Sequence, residues 1–228
     1  MPIRQDIISS NITPELTVAL ARTISPERWR TYKFAAGFHE ETALRLYLWN
    51  AAIGQSFHFP LQTLEVALRN VTHNALKSLH GANWASDANC RHMLGPQLDI
   101  DITKSERRHR NRYNAAPTTP QIVASLSLGF WISLLRQGYH GTIWANNVQH
   151  AFPNLNIGET MMDVSNVGTT IQDLRNRIFH QEPLIGHDLS TDYGAILKML
   201  GWICLETKEW TRLHTSVPKV IRERPKRA

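Results

Sequence analysis

The chain has 228 residues, 42% hydrophobic and 19% charged, with a formal net charge of +6. This length allows one sizeable core, and the composition is that of a soluble globular protein. The longest apolar runs are too short to span a membrane, and the first residues lack the apolar stretch of a secretory signal, so we expect a cytoplasmic protein without membrane contact. The basic charge favours an anionic partner, most commonly nucleic acid.

Cysteine and histidine usage gives no sign of a metal centre. Cys90 and Cys204 are far apart in the sequence, and none of the eleven histidines falls in a metal-ligand spacing. We therefore expect two buried thiols in a reducing compartment, and neither a metal nor another cofactor.

Residues 1–36 are predicted to form a helical lead-in. Thr13-Pro14 and Ser25-Pro26 each place a capping hydroxyl before a proline at the first helical position. The second of these signals predicts a short helix over residues 25–34.

Residues 37–215 are predicted to form the main helical domain, which begins with two helices. The first covers residues 38–54, is apolar around most of its circumference, and should be buried and end at Gly54. The second runs from about residue 60 to residue 79 and is closed by Gly81.

A polar line runs along the second of these helices, because Glu65, Arg69 and His73 recur every four residues. We expect Glu65 and Arg69 to form an ion pair that, with Asn70, supports the helix or a nearby site. His73 is interpreted as a satisfied polar residue; the alternative is a second catalytic motif with one residue too few.

Residues 82–118 are the least regular part of the sequence and contain a basic run. Residues 104–113 hold five lysines and arginines with one acid. This run indicates contact with an RNA backbone; the alternative is a solvated surface without a partner. The residues predicted to bind RNA are Arg107, Arg108, Arg110, Arg112 and, further along the chain, Arg177.

The second half of the domain is predicted to contain helices over residues 118–137, 143–152, 158–182 and 193–206. Gly129 is expected to allow close helix approach, Gly168 to mark either a kink or a tight crossing, and Ser190 or Thr191 to cap the last helix. Residues 216–228 form a basic, proline-broken tail expected to be mobile and to add affinity for RNA. Strand signals are almost absent, so the predicted fold is an all-α helical bundle.

The helix that precedes Pro183 carries the candidate catalytic residues. Arg175 and His180 are five positions apart, about 140° around a helix, and a long arginine side chain can still reach a phosphate beside the imidazole. Asn176 lies one turn before His180. Asp173 is expected to pair with Arg177 and leave Arg175 free.

These residues read Leu-Arg-Asn-Arg-Ile-Phe-His-Gln-Glu-Pro, which resembles the Arg-x4-His signature of the HEPN superfamily and more narrowly the Abi-like (abortive infection, AbiD/AbiF-type) bacterial proteins. The usual motif there is Arg-Asn-Arg-Ile-Ala-His-His-Glu-Pro. Phe179 replaces a small residue and could narrow the site, and Gln181 replaces a second histidine. Three further segments are also similar to that family: Leu-Tyr-x-Trp-Asn, Leu-Glu-Val-x-Leu-Arg-Asn and Leu-Gly-Phe-Trp.

The resemblance implies a HEPN-like core with added helices and a homodimer that pairs two such motifs. It also implies a toxin of anti-phage defence that acts as a metal-independent endoribonuclease, in which the 2′-OH attacks the phosphorus to leave a 2′,3′-cyclic phosphate. The implied catalytic residues are Arg175, Asn176 and His180, and the supporting residues are Glu65, Arg69, Asn70 and Glu182.

Two alternatives to the nuclease remain open. One is a HEPN protein that binds RNA without cutting it, together with a non-coding RNA or an antitoxin. The other is an interaction domain in which Arg175 and His180 serve only as hydrogen-bonding residues at a helix end.

Overall fold

The computed structural model describes residues 13–226 and shows an all-α fold without β-strands in that range, which confirms the predicted fold class. Residues 1–12 of the predicted lead-in and residues 227–228 of the predicted tail lie outside the described residues. The helices are α1 Pro14–Ile24, α2 Pro26–Ala35, α3 Glu40–His80, α4 Ala88–Tyr113, α5 Thr119–Ser125, α6 Leu128–Ser133, α7 Val148–Ala151, α8 Met161–Phe179, α9 Leu189–Ile203, α10 Leu205–His214 and α11 Val217–Arg222.

The first two helices begin where the sequence predicts. The Thr13 hydroxyl accepts a hydrogen bond from the Leu16 amide at 3.2 Å, and the Ser25 hydroxyl accepts one from the Arg28 amide at 3.4 Å. Each cap is followed by a proline at the first helical position, where no amide hydrogen is needed.

The predicted break at Gly54 is wrong, because α3 continues for 41 residues from Glu40 to His80 and contains Pro60. Buried residues continue on both sides of the expected break, including Ile53, Phe57 and Leu61. A glycine costs a helix only about 1 kcal/mol relative to alanine, and continuous burial outweighs that cost.

The region expected to be irregular instead forms α4, which Asp87 caps by accepting from the Cys90 amide. Gly95 has φ 79° and ψ 168°, so α4 consists of two helical segments that meet at this residue. Arg91 bridges the two segments by binding Asp99 and Glu106. The Asp87 cap and the Arg91 ion pairs therefore help to stabilise a helix in a region that the sequence predicted to be the least regular.

The single helix predicted over residues 118–137 is also wrong. It divides into α5 and α6 at Leu126, which has extended backbone angles. The helix predicted over residues 143–152 is replaced by a π-helical turn over His140–Trp144 and the short α7. Side chains satisfy the carbonyls that follow α6: the Trp144 indole donates to the Leu134 oxygen at 2.7 Å. These tertiary hydrogen bonds replace those of a longer helix.

The last part of the chain differs from expectation in three places. The motif helix α8 was predicted to begin at residue 158 but begins at Met161, where Thr160 and Asp163 form its cap. Asp188, not Ser190 or Thr191, caps α9 by accepting from the Thr191 amide at 3.1 Å. Part of the tail expected to be mobile forms α11, whose Val220 oxygen accepts from the Trp49 indole at 2.7 Å.

The chain folds into two compact units. The described residues of the first are 13–59, 174–193 and 214–226; the second comprises residues 60–173 and 194–213. The first unit buries, among others, Trp29, Tyr32, Trp49, Ile53 and Phe57. The second buries, among others, Leu64, Leu68, Trp84, Trp131, Trp144, Phe152 and Trp202.

Both cysteines are free, but only Cys90 is buried as expected, while Cys204 is half-buried. Over residues 13–226, no helix combines the length and apolarity that crossing a bilayer requires.

Gly168 of α8 lies in a tight crossing within the second unit, which is one of the two alternatives that the sequence left open. A methyl group there would come within 3.1 Å of Leu135 Cδ1 and 3.4 Å of Ile132 Cγ2, whereas one at Gly194 in α9 would meet nothing within 4 Å. We expect Gly194→Ala to stabilise the fold by about 0.5–1 kcal/mol through helix propensity. The free energy of unfolding of Gly168→Ala should be at least about 1 kcal/mol lower than that of Gly194→Ala, because the added methyl group overpacks the crossing. Urea unfolding measures both; equal free energies of unfolding would contradict the tight crossing.

Glu159 makes the stability of the fold depend on pH in the acid range. Its carboxylate pairs with Lys198 at 2.9 Å and accepts from the Asn156 amide at 3.0 Å and the Trp202 indole at 2.6 Å. These contacts, that with Lys198 foremost, lower the pKa of Glu159 to about 2. Because the folded-state pKa lies below the unfolded one, this contribution to stability is complete above about pH 4.5 and is lost as the pH falls towards 2.

We therefore expect the stability of the Glu159→Gln variant to depend less steeply on pH between about 4.5 and 2 than that of the parent. Chemical unfolding across this range measures the effect, with Glu27→Gln, an exposed acid of α2, as the control. Parallel curves for parent and Glu159→Gln would contradict the assignment.

Candidate functional site

The end of α8 is closed by two backbone hydrogen bonds that place the motif residues. The Glu182 amide donates to the Arg177 oxygen at 2.8 Å, and the Gln181 amide donates to the Ile178 oxygen at 3.1 Å. This is the Schellman arrangement, in which the residue after the cap adopts a left-handed conformation. His180 is therefore the C-cap of α8, directly after its last helical residue Phe179.

Gln181 has the left-handed conformation that the turn requires, with φ 57°. Glycine usually occupies this position, and a residue with a Cβ atom costs about 1–2 kcal/mol there. Pro183 follows two residues later and cannot continue a helix, as the sequence predicted. The turn thus fixes where the chain leaves α8, and the left-handed backbone of Gln181 makes it locally strained.

Arg175 is held against an aromatic ring. Its guanidinium carbon lies 4.0 Å from the centroid of the Phe179 ring, and Nη1 makes a long hydrogen bond of 3.4 Å to Asn176 Oδ1. Its Nε is buried without a hydrogen-bond partner, and none of the ion pairs in the described part of the chain involves Arg175. The cation is therefore positioned but not neutralised, which suits a group that meets an anionic ligand.

His180 is exposed, and its imidazole has no hydrogen-bond partner among residues 13–226. Its backbone amide donates to the Asn176 oxygen at 2.8 Å. Asn176 thus contacts Arg175 through its side chain and His180 through its backbone. The three predicted catalytic residues share one helix end, with the imidazole open to solvent.

Arg177 pairs with Glu182 at 2.9 Å across the same turn, so the expected pairing with Asp173 is wrong. The turn brings Glu182 back over the last residues of α8, which a straight helix would not do. Arg177 was predicted to bind RNA and Glu182 to support the site; this ion pair couples the two residues and reduces the free charge of Arg177.

Asn50 of α3 is a residue of the site that sequence reasoning did not single out. Its Oδ1 accepts a hydrogen bond from the Leu184 amide at 2.6 Å, and Leu184 and Ile185 are buried. Asn50 therefore anchors the loop that follows His180. Asn50 and Leu184 are 134 residues apart, so no local pattern could predict this hydrogen bond. The only sequence signal for Asn50 was its place in the family-like segment Leu-Tyr-x-Trp-Asn.

Gly54, one turn after Asn50, also lies close to the motif helix. A methyl group built on it would be 3.8 Å from Ile178 Cγ2, which is ordinary van der Waals contact. The end of α8 and the middle of α3 therefore pack together at this point in the first unit.

The predicted supporting residues Glu65, Arg69 and Asn70 belong to the second unit. The expected ion pair is confirmed, with Arg69 Nη2 3.0 Å from Glu65 Oε1, while Asn70 is exposed. Their supporting role in catalysis stays a prediction.

His73 has the structural role that the sequence favoured. Its Nδ1 accepts a hydrogen bond from the Trp84 indole at 2.9 Å, which requires that nitrogen to be unprotonated. Burial, aided by Lys77, lowers the pKa of His73 and so favours this neutral form.

The four arginines predicted to bind RNA, Arg107, Arg108, Arg110 and Arg112, are all exposed on the last turns of α4. The one acid in this run, Glu106, is paired with Arg91 at 3.0 Å. Within residues 13–226, no carboxylate forms an ion pair with any of the four. This leaves a surface of uncompensated positive charge in the second unit.

Comparison with known proteins gave no match: no family model, curated protein or solved structure is similar to this chain. The resemblance to Abi-like HEPN proteins therefore depends on the motif residues named above. Within the described ranges, His, Cys, Asp and Glu side chains form no group of three or more that could hold a metal ion.

Asn50→Ala should destabilise the first unit by about 1–3 kcal/mol, because it leaves the Leu184 amide without an acceptor. Asn50→Asp keeps an acceptor oxygen and should retain most of the stability. Hydrogen exchange of the Leu184 amide, followed by NMR, should become faster only in the alanine variant. Unchanged exchange in Asn50→Ala would contradict the anchoring role.

Proposed function

We propose that this protein is an Abi-like endoribonuclease of the HEPN superfamily, with its catalytic residues at the end of α8. The observation that carries the proposal is the placement of Arg175. Its guanidinium is held on Phe179 without a neutralising carboxylate, on the same helix end as the exposed imidazole of His180. A free cation held on the same helix end as an exposed proton carrier suits phosphoryl-transfer chemistry.

In the proposed reaction, the ribose 2′-oxygen attacks the adjacent phosphorus and the bond to the 5′-oxygen breaks. The 2′-OH loses a proton and the leaving 5′-oxygen gains one, and His180 serves one of these transfers, because an imidazole exchanges protons near neutral pH. Arg175 stabilises the charge that grows on the phosphoryl oxygens. The products are a 2′,3′-cyclic phosphate and a 5′-OH, and the reaction uses no metal.

Asn176 and Asn50 are positioning residues in this scheme. Asn176 contacts the Arg175 guanidinium with its side-chain oxygen and the His180 amide with its backbone oxygen. Asn50 holds the loop behind His180. A misplacement of about 1 Å at a catalytic group is enough to lower a rate strongly, so both contacts bear on activity.

The proposed biological role is anti-phage defence, in which RNA cleavage stops growth of the infected cell. The proposed assembly is a homodimer that supplies a second His180 for the other proton transfer. A non-coding RNA or an antitoxin would keep such a toxin inactive before infection.

A second candidate is a HEPN protein that binds RNA without cutting it. It is favoured by one observation: in residues 13–226 nothing orients the His180 imidazole, whereas a general base usually has a partner that fixes its ring. The arginines of α4 would serve this function equally well.

Purified full-length protein should cleave single-stranded RNA in EDTA and leave 2′,3′-cyclic phosphate ends. Arg175→Ala and His180→Ala should each lower the rate by about 10²-fold or more, because each removes a group that acts on the transition state. The double variant His58→Ala/Arg30→Ala removes an exposed imidazole and an exposed guanidinium from other helices of the first unit, and should keep the parental rate.

Three results would contradict cleavage at this site: unchanged rates in the Arg175 and His180 variants, loss of activity in EDTA, or equal cleavage of a substrate with 2′-deoxyriboses. RNA binding that weakens in Arg175→Ala, without cleavage by the parent protein, would establish the non-cutting function instead. Expression in a bacterial host adds a second readout, since the double variant Arg175→Ala/His180→Ala should lose toxicity.

A further inference from the structure

The basic run of α4 divides into two faces. Arg108 and Arg112 are one turn apart, about 6 Å along the helix axis, and both line a groove of about 660 Å³ in the second unit. By helical periodicity, Arg107 and Arg110 lie on the other side of α4, and they do not line this groove. The charge predicted from the sequence as one cluster is therefore presented in two directions.

The groove also contains aromatic rings. His109 and Tyr113 lie one turn apart with ring centroids 4.6 Å from each other and planes tilted by 44°. Tyr113 is 58% exposed, and the Arg112 guanidinium carbon is 5.3 Å from the centroid of its ring. A flat, exposed ring beside a cation offers a surface on which a base can stack.

The other residues that line the groove are small or polar but uncharged. They include Ala115, Ala124 and Gln121, together with Ser105 and Ser125, whose hydroxyls are hydrogen-bonded to each other. The Gln121 side-chain oxygen is occupied by the Thr118 amide at 2.8 Å. The groove therefore holds two unpaired guanidinium groups and no carboxylate among its lining residues.

We infer that this groove is a binding site for single-stranded RNA. Arg108 and Arg112 contact backbone phosphates, and an unpaired base stacks on Tyr113. A duplex fits this chemistry less well, because its bases are stacked on one another and their faces are not accessible. The inference deepens the proposed function and rests on it for the choice of RNA as the ligand.

The test measures binding apart from cleavage. The probe is a fluorescein-labelled 2′-O-methyl oligouridylate of about 12 nucleotides, within the span of single-strand binding sites. It has no free 2′-OH and so resists the proposed reaction. Fluorescence anisotropy with the full-length protein, from 50 to 200 mM salt, should show binding that weakens steeply with salt.

Arg108→Ala/Arg112→Ala should weaken binding most and lower the slope of log affinity against log salt by about 1.4, since each single-strand phosphate contact contributes about 0.7. Arg107→Ala/Arg110→Ala removes the same charge from the same helix and should change affinity much less. Tyr113→Ala should weaken binding at least about fivefold, and Tyr113→Phe, which keeps the ring, should not.

Equal losses of probe affinity in the two double-arginine variants would contradict binding in the groove, because affinity would then depend on net charge alone. Equal affinity for the probe annealed to its complement, or no effect of Tyr113→Ala, would overturn base stacking. Binding without cleavage of unmodified RNA by the parent protein would refute the nuclease and leave this site standing. Cleavage that is unchanged in the groove variants, with no loss of probe binding, would refute the site and leave the nuclease standing.

Discussion

The turn that ends α8 determines the geometry of the candidate site. Its two backbone hydrogen bonds, from Glu182 to Arg177 and from Gln181 to Ile178, make His180 the cap and turn the following loop back towards the helix. The Arg177–Glu182 ion pair forms across the same turn, and the Asn50 side chain holds the loop that leaves it. The backbone position of His180 is thus set by these contacts, although its imidazole is exposed.

The two charged groups at this helix end are held differently. Arg175 has its Nε buried and its guanidinium on the Phe179 ring, so its charge is held in place. His180 has only backbone constraints. Electrostatic stabilisation requires a preorganised group, which Arg175 is, whereas a general base usually has a partner that fixes its ring, which His180 lacks among residues 13–226. The structure therefore supports the proposed role of Arg175 more strongly than that of His180.

Local patterns predicted local structure well. Helix starts at Thr13-Pro14 and Ser25-Pro26, the Glu65–Arg69 ion pair and the end of α8 before Pro183 depend on neighbouring residues, and the structure confirms them. The predicted break at Gly54 was wrong because burial continues through it, and the predicted end of a later helix at residue 137 was wrong because the Trp144 indole satisfies the Leu134 carbonyl after α6. The site shows the same division. The motif residues follow from the sequence, but the Asn50–Leu184 hydrogen bond and the placement of Arg175 on Phe179 depend on tertiary contact and rotamer choice.

The left-handed backbone at Gln181 limits which residues this position can accept during evolution. Branched side chains such as valine or isoleucine are disfavoured there, whereas glycine, asparagine and histidine adopt this conformation more readily than most residues. The Abi-like motif that this chain resembles commonly has histidine at the corresponding position. Backbone geometry alone therefore gives a reason for that histidine, without any role in proton transfer, and makes its exchange for glutamine a change that the loop can tolerate.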